Sequence, residues 1–120
     1  MNKAQALQQF WNSFLPAYDE STVPKDAQMP YITYTVSDSF LDFPVPLTAS
    51  LWYKSQSWEE ITLKSYEISN AISLGGKVIQ VDGGRMWIYR GSPFAQRVRD
   101  EDDTVRRMLI NITVEYFTAD

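Results

Sequence analysis

The chain lacks cysteine and histidine altogether. Without cysteine there are no disulfides, no thiol nucleophile and no thiolate metal site. Without histidine the usual general base near neutral pH and the commonest metal ligand are gone. Catalysis would then have to rest on carboxylate pairs, lysines or a phosphate loop. No apolar run is long enough to span a bilayer. The first residues, Met1-Asn2-Lys3-Ala4-Gln5, are polar and lack the apolar core of a signal peptide. This predicts a protein made and kept in a cytoplasm, or built into an assembly there. The net charge of -4 leaves no basic excess for nonspecific nucleic-acid binding.

What is present suits one folded domain, 1–120, with 44% apolar and 14% aromatic residues. Residues 2–15 read as an amphipathic helix with Ala4, Leu7, Phe10, Trp11 and Phe14 on its buried face. Asn2 and Gln5 form a capping box in sequence, and Pro16 ends the helix. The stretch from Pro16 to Pro30 is polar and aperiodic, which predicts a surface connection. Tyr31 to Ser37 and Leu47 to Ser55 alternate as strands. Between them lies a turn rich in proline and aspartate, with Phe40, Leu41 and Phe43 as an apolar lid on the core. Ser57 and Glu60 have capping-box spacing. They open a second helix whose buried stripe is Trp58, Ile61, Ser65, Ile68 and Ile72. Leu74-Gly75-Gly76 stops it. Leu63 and Tyr66 fall on the opposite face from Ile61 and hint at a second packing surface.

Asp82-Gly83-Gly84 lies between two β-rich runs and signals a hairpin, which Gly91-Ser92-Pro93 closes. Arg97 to Asp103 reads as a charged loop. Thr104 to Phe117 is then one long strand. Met108, Ile110, Ile112, Val114 and Tyr116 line its buried face, and the other face is wet. Fourteen extended residues span roughly 46 Å at ~3.3 Å each. So long a strand is expected to overhang a small domain unless it bends or pairs beyond it, and an overhanging end could add to a neighbour's sheet edge. The order of elements predicts an α+β fold: a mostly antiparallel sheet with two helices packed on one face, a hairpin and a long C-terminal strand.

Few constellations carry chemistry. Asp100, Glu101, Asp102 and Asp103 have the carboxylates of a hard-cation site but not the ligand spacing or the glycine of a calcium loop. Gly83-Gly84-Arg85 lacks the lysine and following helix of a phosphate loop. Glu59-Glu60 complements a helix dipole. Ser57 and Ser92 have no histidine to activate them. No catalytic residue, metal site or cofactor follows. All six arginines fall between Arg85 and Arg107, around the acidic block Asp100 to Asp103. Arg97, Arg99, Arg106 and Arg107 sit among carboxylates, so the local field is nearly neutral. Surface ion pairs within one chain and an ion-pair lattice between copies account for these residues equally well.

Several phrases together resemble a known family. They are Pro30-Tyr31-Ile32-Thr33-Tyr34, Leu51-Trp52-Tyr53, Ser57-Trp58-Glu59-Glu60-Ile61, Lys77 through Asp82-Gly83-Gly84, Trp87-Ile88 and Gly91-Ser92-Pro93-Phe94-Ala95-Gln96-Arg97. With the terminal Val114-Glu115-Tyr116-Phe117, they are similar to the small tail-terminator proteins of long-tailed phages and prophages of Gram-positive bacteria. These are also called tail-completion or minor capsid proteins. The resemblance covers nearly the whole chain and rests on structural rather than catalytic motifs. It implies a non-enzymatic virion protein at the head–tail junction, assembled in the host cytoplasm. Such subunits form a ring, usually a hexamer, that caps the tail tube, ends its polymerisation and presents a surface to the head–tail connector. DNA passes through the lumen, and no membrane or cofactor is involved. A head–tail neck or connector adaptor is the alternative. The ring interface is expected on Arg97, Arg99, Asp100, Glu101, Asp102 and Asp103, where the arginines of one copy meet the carboxylates of the next. Leu63 and Tyr66 would add a second packing surface.

Overall fold

In a computed structural model, residues 1–37 and 43–119 are described. The elements in chain order are α1 (Lys3–Asn12), β1 (Ala17–Asp19), β2 (Tyr31–Tyr34), β3 (Val45–Lys54), α2 (Glu59–Ile72), β4 (Lys77–Val81), β5 (Gly84–Val98) and β6 (Val105–Thr118). The strands make one sheet in the order β1-β2-β3-β6-β5-β4. Every pairing is antiparallel except β1 with β2. Both helices bury their apolar faces in a single cluster with one face of this sheet. The fold is therefore α+β, as the pattern predicts.

The capping box of α1 forms as written. Gln5 N donates to Asn2 Oδ1 at 2.8 Å, and Asn2 N donates to Gln5 Oε1 at 2.9 Å. Ala6, Leu7, Phe10 and Trp11 are buried; Ala4, expected among them, faces solvent. The helix also stops before Pro16, at Asn12. Asn12 Oδ1 accepts from Ala17 N at 3.1 Å, and Gln8 Nε2 donates to Ala17 O at 3.2 Å. These two side chains cap the outer edge of β1. β1 itself lies inside the stretch read as an aperiodic connection; three residues are too few to show a period.

α1 packs on β1 and β2 but also on β4, which ends the sheet on the other side. Asp82 N, just past β4, donates to Met1 O at 2.8 Å, and the Met1 amino group pairs with Asp82 Oδ1 at 3.1 Å. One helix can touch both flanks only if the sheet curls around it. The sheet is thus a half-barrel with α1 at the seam and α2 against β3, β5 and β6.

Three further expectations are corrected. First, the box between Ser57 and Glu60 is absent. Trp58 takes the N-cap position without a side-chain bond, and Ser57 Oγ accepts from Glu59 N at 3.1 Å instead. Trp58 is only partly buried, while Ile61, Ser65, Ile68 and Ile72 form the buried stripe. Second, the hairpin does not close at Gly91-Ser92-Pro93. Its turn is Asp82-Gly83, with Val81 opposite Gly84, but β5 continues to Val98. The register slips between Arg90 and Ala95, a bulge that accommodates a proline with no N–H to give. Asn111 Nδ2 donates to Pro93 O at 2.9 Å across it. The charged loop therefore shrinks to Arg99–Thr104, with Arg97 on a strand.

Third, the long strand does not overhang. β6 is central: it pairs with β3 from Val105 to Val114 and with β5 from Arg107 to Thr118. From Arg107 to Val114 it is paired on both sides, so the body of the strand is not an edge open to a neighbour. Its Met108, Ile110, Ile112, Val114 and Tyr116 are buried as expected. Its other face is half-buried rather than wet, because neighbours on both sides shelter it. Phe40 and Leu41 of the expected lid lie outside the described residues; Phe43 is exposed.

Candidate interaction surface

Alternation along β6 sends Arg106 and Arg107 to opposite faces of the sheet. Arg107 lies over the Trp52 ring at 4.8 Å, and its Nε donates to Ser50 Oγ at 3.1 Å. Tyr31 stands beside Trp52, and Tyr18 beside Tyr31, so an aromatic row crosses the face away from the helices.

Arg106 lies on the helix side, with its guanidinium 5.3 Å from the Trp58 ring; Arg97 on β5 reaches the same ring at 4.8 Å. Two cations thus stack on one indole, an arrangement that holds planar guanidinium groups in place. Arg106 is held further by backbone carbonyls. Nη1 donates to Asp103 O at 3.0 Å and to Val105 O at 3.1 Å, and Nη2 donates to Gln56 O at 2.6 Å. Its Nε is buried with no hydrogen-bond partner. Sequence reading placed Trp58 in a buried stripe and missed this platform; only the pairing of β5 with β6 brings Arg97 to it.

The loop Arg99–Thr104 is ordered by its own aspartates. Asp102 Oδ1 accepts from Thr104 N at 2.9 Å and from Thr104 Oγ1 at 2.6 Å. Asp100 Oδ1 accepts from Asp102 N at 3.0 Å. Lys54 approaches Asp102 at 3.6 Å. The hydroxyl and backbone bonds from Thr104, aided by Lys54, hold the Asp102 carboxyl below the usual range. Ser55 N donates to Thr104 O at 2.7 Å, which ties the loop to the end of β3.

Beside the loop opens a cleft of about 340 Å³, lined by Trp58, Arg97, Arg99, Arg106, Asp100 and Asp103 among others. Six of the eight residues expected at an interface, Arg97 and Arg99 to Asp103, are thus gathered at one end of the hairpin. Among the described residues, no ion pair links Arg97, Arg99, Arg106 or Arg107 to Asp100, Glu101 or Asp103. Arg106, Arg107 and Asp100 are engaged by other partners, while Arg97, Arg99 and Asp103 lie close together without an ion pair among the described residues. Leu63 and Tyr66 stand elsewhere, on the outward face of α2, and are 59% and 60% exposed. Of the four carboxylates weighed as cation ligands, those of Asp100 and Asp102 accept bonds within the loop, and no group of three ligating side chains converges among the described residues. A depression of about 220 Å³ between α1 and β4 is lined by Phe10, Ile79 and polar neighbours. Among the described residues no helix is long and apolar enough to cross a membrane.

The fold is therefore α+β: a curled sheet clasping two helices, with both signs of charge gathered at one end, the tip, of the β5–β6 hairpin. No family model matches the sequence, and no curated protein matches it. Among solved structures, a chain in the virion of a native gene transfer agent (GTA) particle is similar to it. The TM-score is 0.53 at 16% identity, over 88% of this chain and 82% of that one. At that identity the likeness is one of fold.

Proposed function

We propose that this chain is a non-enzymatic structural subunit of a virion, and specifically the terminator of a phage tail. The observation that carries the reading is the fold shared, over most of both chains, with a component of a GTA virion. The sequence phrases that resemble tail terminators favour the finer role. In that role copies of the chain close into a ring, a hexamer, on the finished tail tube. The ring stops polymerisation and offers its far side to the head–tail connector, while DNA passes through the lumen. An acidic chain of net charge -4 suits such a passage, since a negative wall repels DNA and lets it slide.

Ring closure needs a heterologous contact, one patch of a subunit on a different patch of the next. Arg97 and Arg99 meeting Asp100, Glu101, Asp102 and Asp103 of the neighbour would supply it. Leu63 and Tyr66 would add apolar contact. Purified chain mixed with tail tubes from the phage or prophage that carries its gene tests the reading. The expected result is a ring on one tube end in negative-stain images, an arrest of tube growth and a native mass six times the 13.9 kDa subunit. Binding to DNA-filled heads and not to tubes would instead establish the neck-adaptor role.

A further inference from the structure

We infer that the outward stripe of α2 seats on the open face of the next copy's sheet, across β1, β2, β3 and β6. The inference rests on the ring reading above and adds to it the surface that receives Leu63 and Tyr66.

Both helices pack on one face of the sheet, and among the described residues no helix covers the other. Tyr31, Trp52 and Arg107 are register partners on β2, β3 and β6, so their side chains share that open face. Tyr18 joins them from β1. All four are partly exposed. On α2, Glu59, Leu63, Tyr66 and Asn70 recur at helical spacing, opposite the buried stripe of Ile61, Ser65, Ile68 and Ile72. They are exposed.

The two rows match in order and in spacing. Along the sheet, the Arg107 guanidinium lies 4.8 Å from the Trp52 ring, Trp52 lies 6.5 Å from Tyr31, and Tyr31 lies 5.8 Å from Tyr18. Along the helix, the steps from Glu59 to Leu63, Tyr66 and Asn70 rise ~6, ~4.5 and ~6 Å. Laid along the row, α2 sets Glu59 on Arg107, Leu63 on Trp52, Tyr66 on Tyr31 and Asn70 beside Tyr18. Anion meets cation, and apolar surface meets aromatic rings. Arg107 has donors to spare, since among the described residues only its Nε is bonded, to Ser50. Glu59 and Glu60 make no ion pair among the described residues.

Charge also selects the symmetry. The outward side of α2 carries Glu59, Glu60 and Glu67 against Lys64. The open face carries Lys54, Arg85 and Arg107 against Glu115. A two-fold contact puts a patch on its own copy, and so sets like charge against like. The helix stripe on the open face sets opposite signs together. The two patches stand back to back, because α2 packs on β3 and β6 from the side away from Trp52 and Arg107. Each copy can therefore receive one neighbour and seat on another, which is the heterologous contact a ring requires.

The chain has no cysteine, so introduced thiols are the only ones. Chains bearing Asn70→Cys and chains bearing Tyr18→Cys are co-expressed and treated with a short bismaleimide. Expected are covalent dimers from the mixture and none from either chain alone. Thr33→Cys, on the register partner of Tyr18, replaces Tyr18→Cys if that variant loses the wild-type circular dichroism. Leu63→Glu added to the Asn70→Cys chain should abolish the covalent dimers without unfolding the chain, since Leu63 is exposed. Covalent dimers from either single-cysteine chain alone would establish a two-fold contact and overturn the inference. A ring by native mass with no covalent dimer from the mixture would also overturn it, and would leave the ring reading standing. A wild-type chain that forms no ring on tubes or in solution would remove both.

Discussion

Arg97 and Arg106 come from different strands and share one indole, and this fixes the character of the tip. Stacking on Trp58 holds both guanidiniums flat; Arg106 is already spent on backbone carbonyls, which leaves Arg97 as the ordered donor. The aspartates of the loop are ordered in the same way, by Thr104 and by one another. Asp102 carries a pH consequence. Its folded carboxyl lies below its ordinary value, so it binds protons less readily folded than unfolded. The stabilisation is complete above the ordinary carboxylate range and is lost as pH falls through the depressed folded value. On acidification below about 4, the Thr104 amide resonance is expected to move as its acceptor is protonated. In Asp102→Asn the movement at that site should vanish.

At the scale of elements, the central strand dominates. β6 places five large side chains in the core, each contributing about 1.5–3 kcal/mol when fully buried. Ile110 and Ile112 are almost wholly enclosed between the strands and helices. Ile110→Ala is expected to lower unfolding free energy by about 2–5 kcal/mol, read from denaturant midpoints at unchanged slope. The turn into β5 is equally constrained. Gly84 has a φ of 158°, and a Cβ there would collide with the Phe117 carbonyl. At the sheet flanks the design changes. β1 is short and capped by Gln8 and Asn12, and β4 is short and carries Lys77, two ways of keeping an edge from pairing indiscriminately.

For the whole molecule, the proposed ring would combine a charged contact at the tip with apolar residues on α2. These respond oppositely to salt. Exposed ion pairs weaken as the screening length falls from ~8 Å at physiological salt to ~3 Å at 1 M. Burial of Leu63 and Tyr66 does not. If the tip dominates, the ring is expected to dissociate as sodium chloride is raised, as followed by light scattering. Arg97→Glu/Arg99→Glu should abolish it in low salt while circular dichroism and thermal midpoint stay near wild type. Salt-insensitive assembly, or a normal ring in the reversed variant, would move the interface to α2.

Much of this fold was legible in the sequence, because the informative patterns are local. Periods of two and of three to four residues mark β3, β6, α1 and α2, and the Asn2–Gln5 box and the Asp82-Gly83 turn each act within a few residues. Length and alternation determined that β6 would be long and one-sided. They could not determine where it sits, since strand order is set by which apolar faces can share one core. That placement paired the middle of β6 on both sides and carried β5 past Pro93 through a bulge. It also brought Arg97 to Trp58. The sequence by itself determined a concentrated pattern of opposite charges; only the tertiary structure decided that these charges occupy one end of the hairpin, where strands distant in sequence become neighbours through hydrogen-bonded pairing.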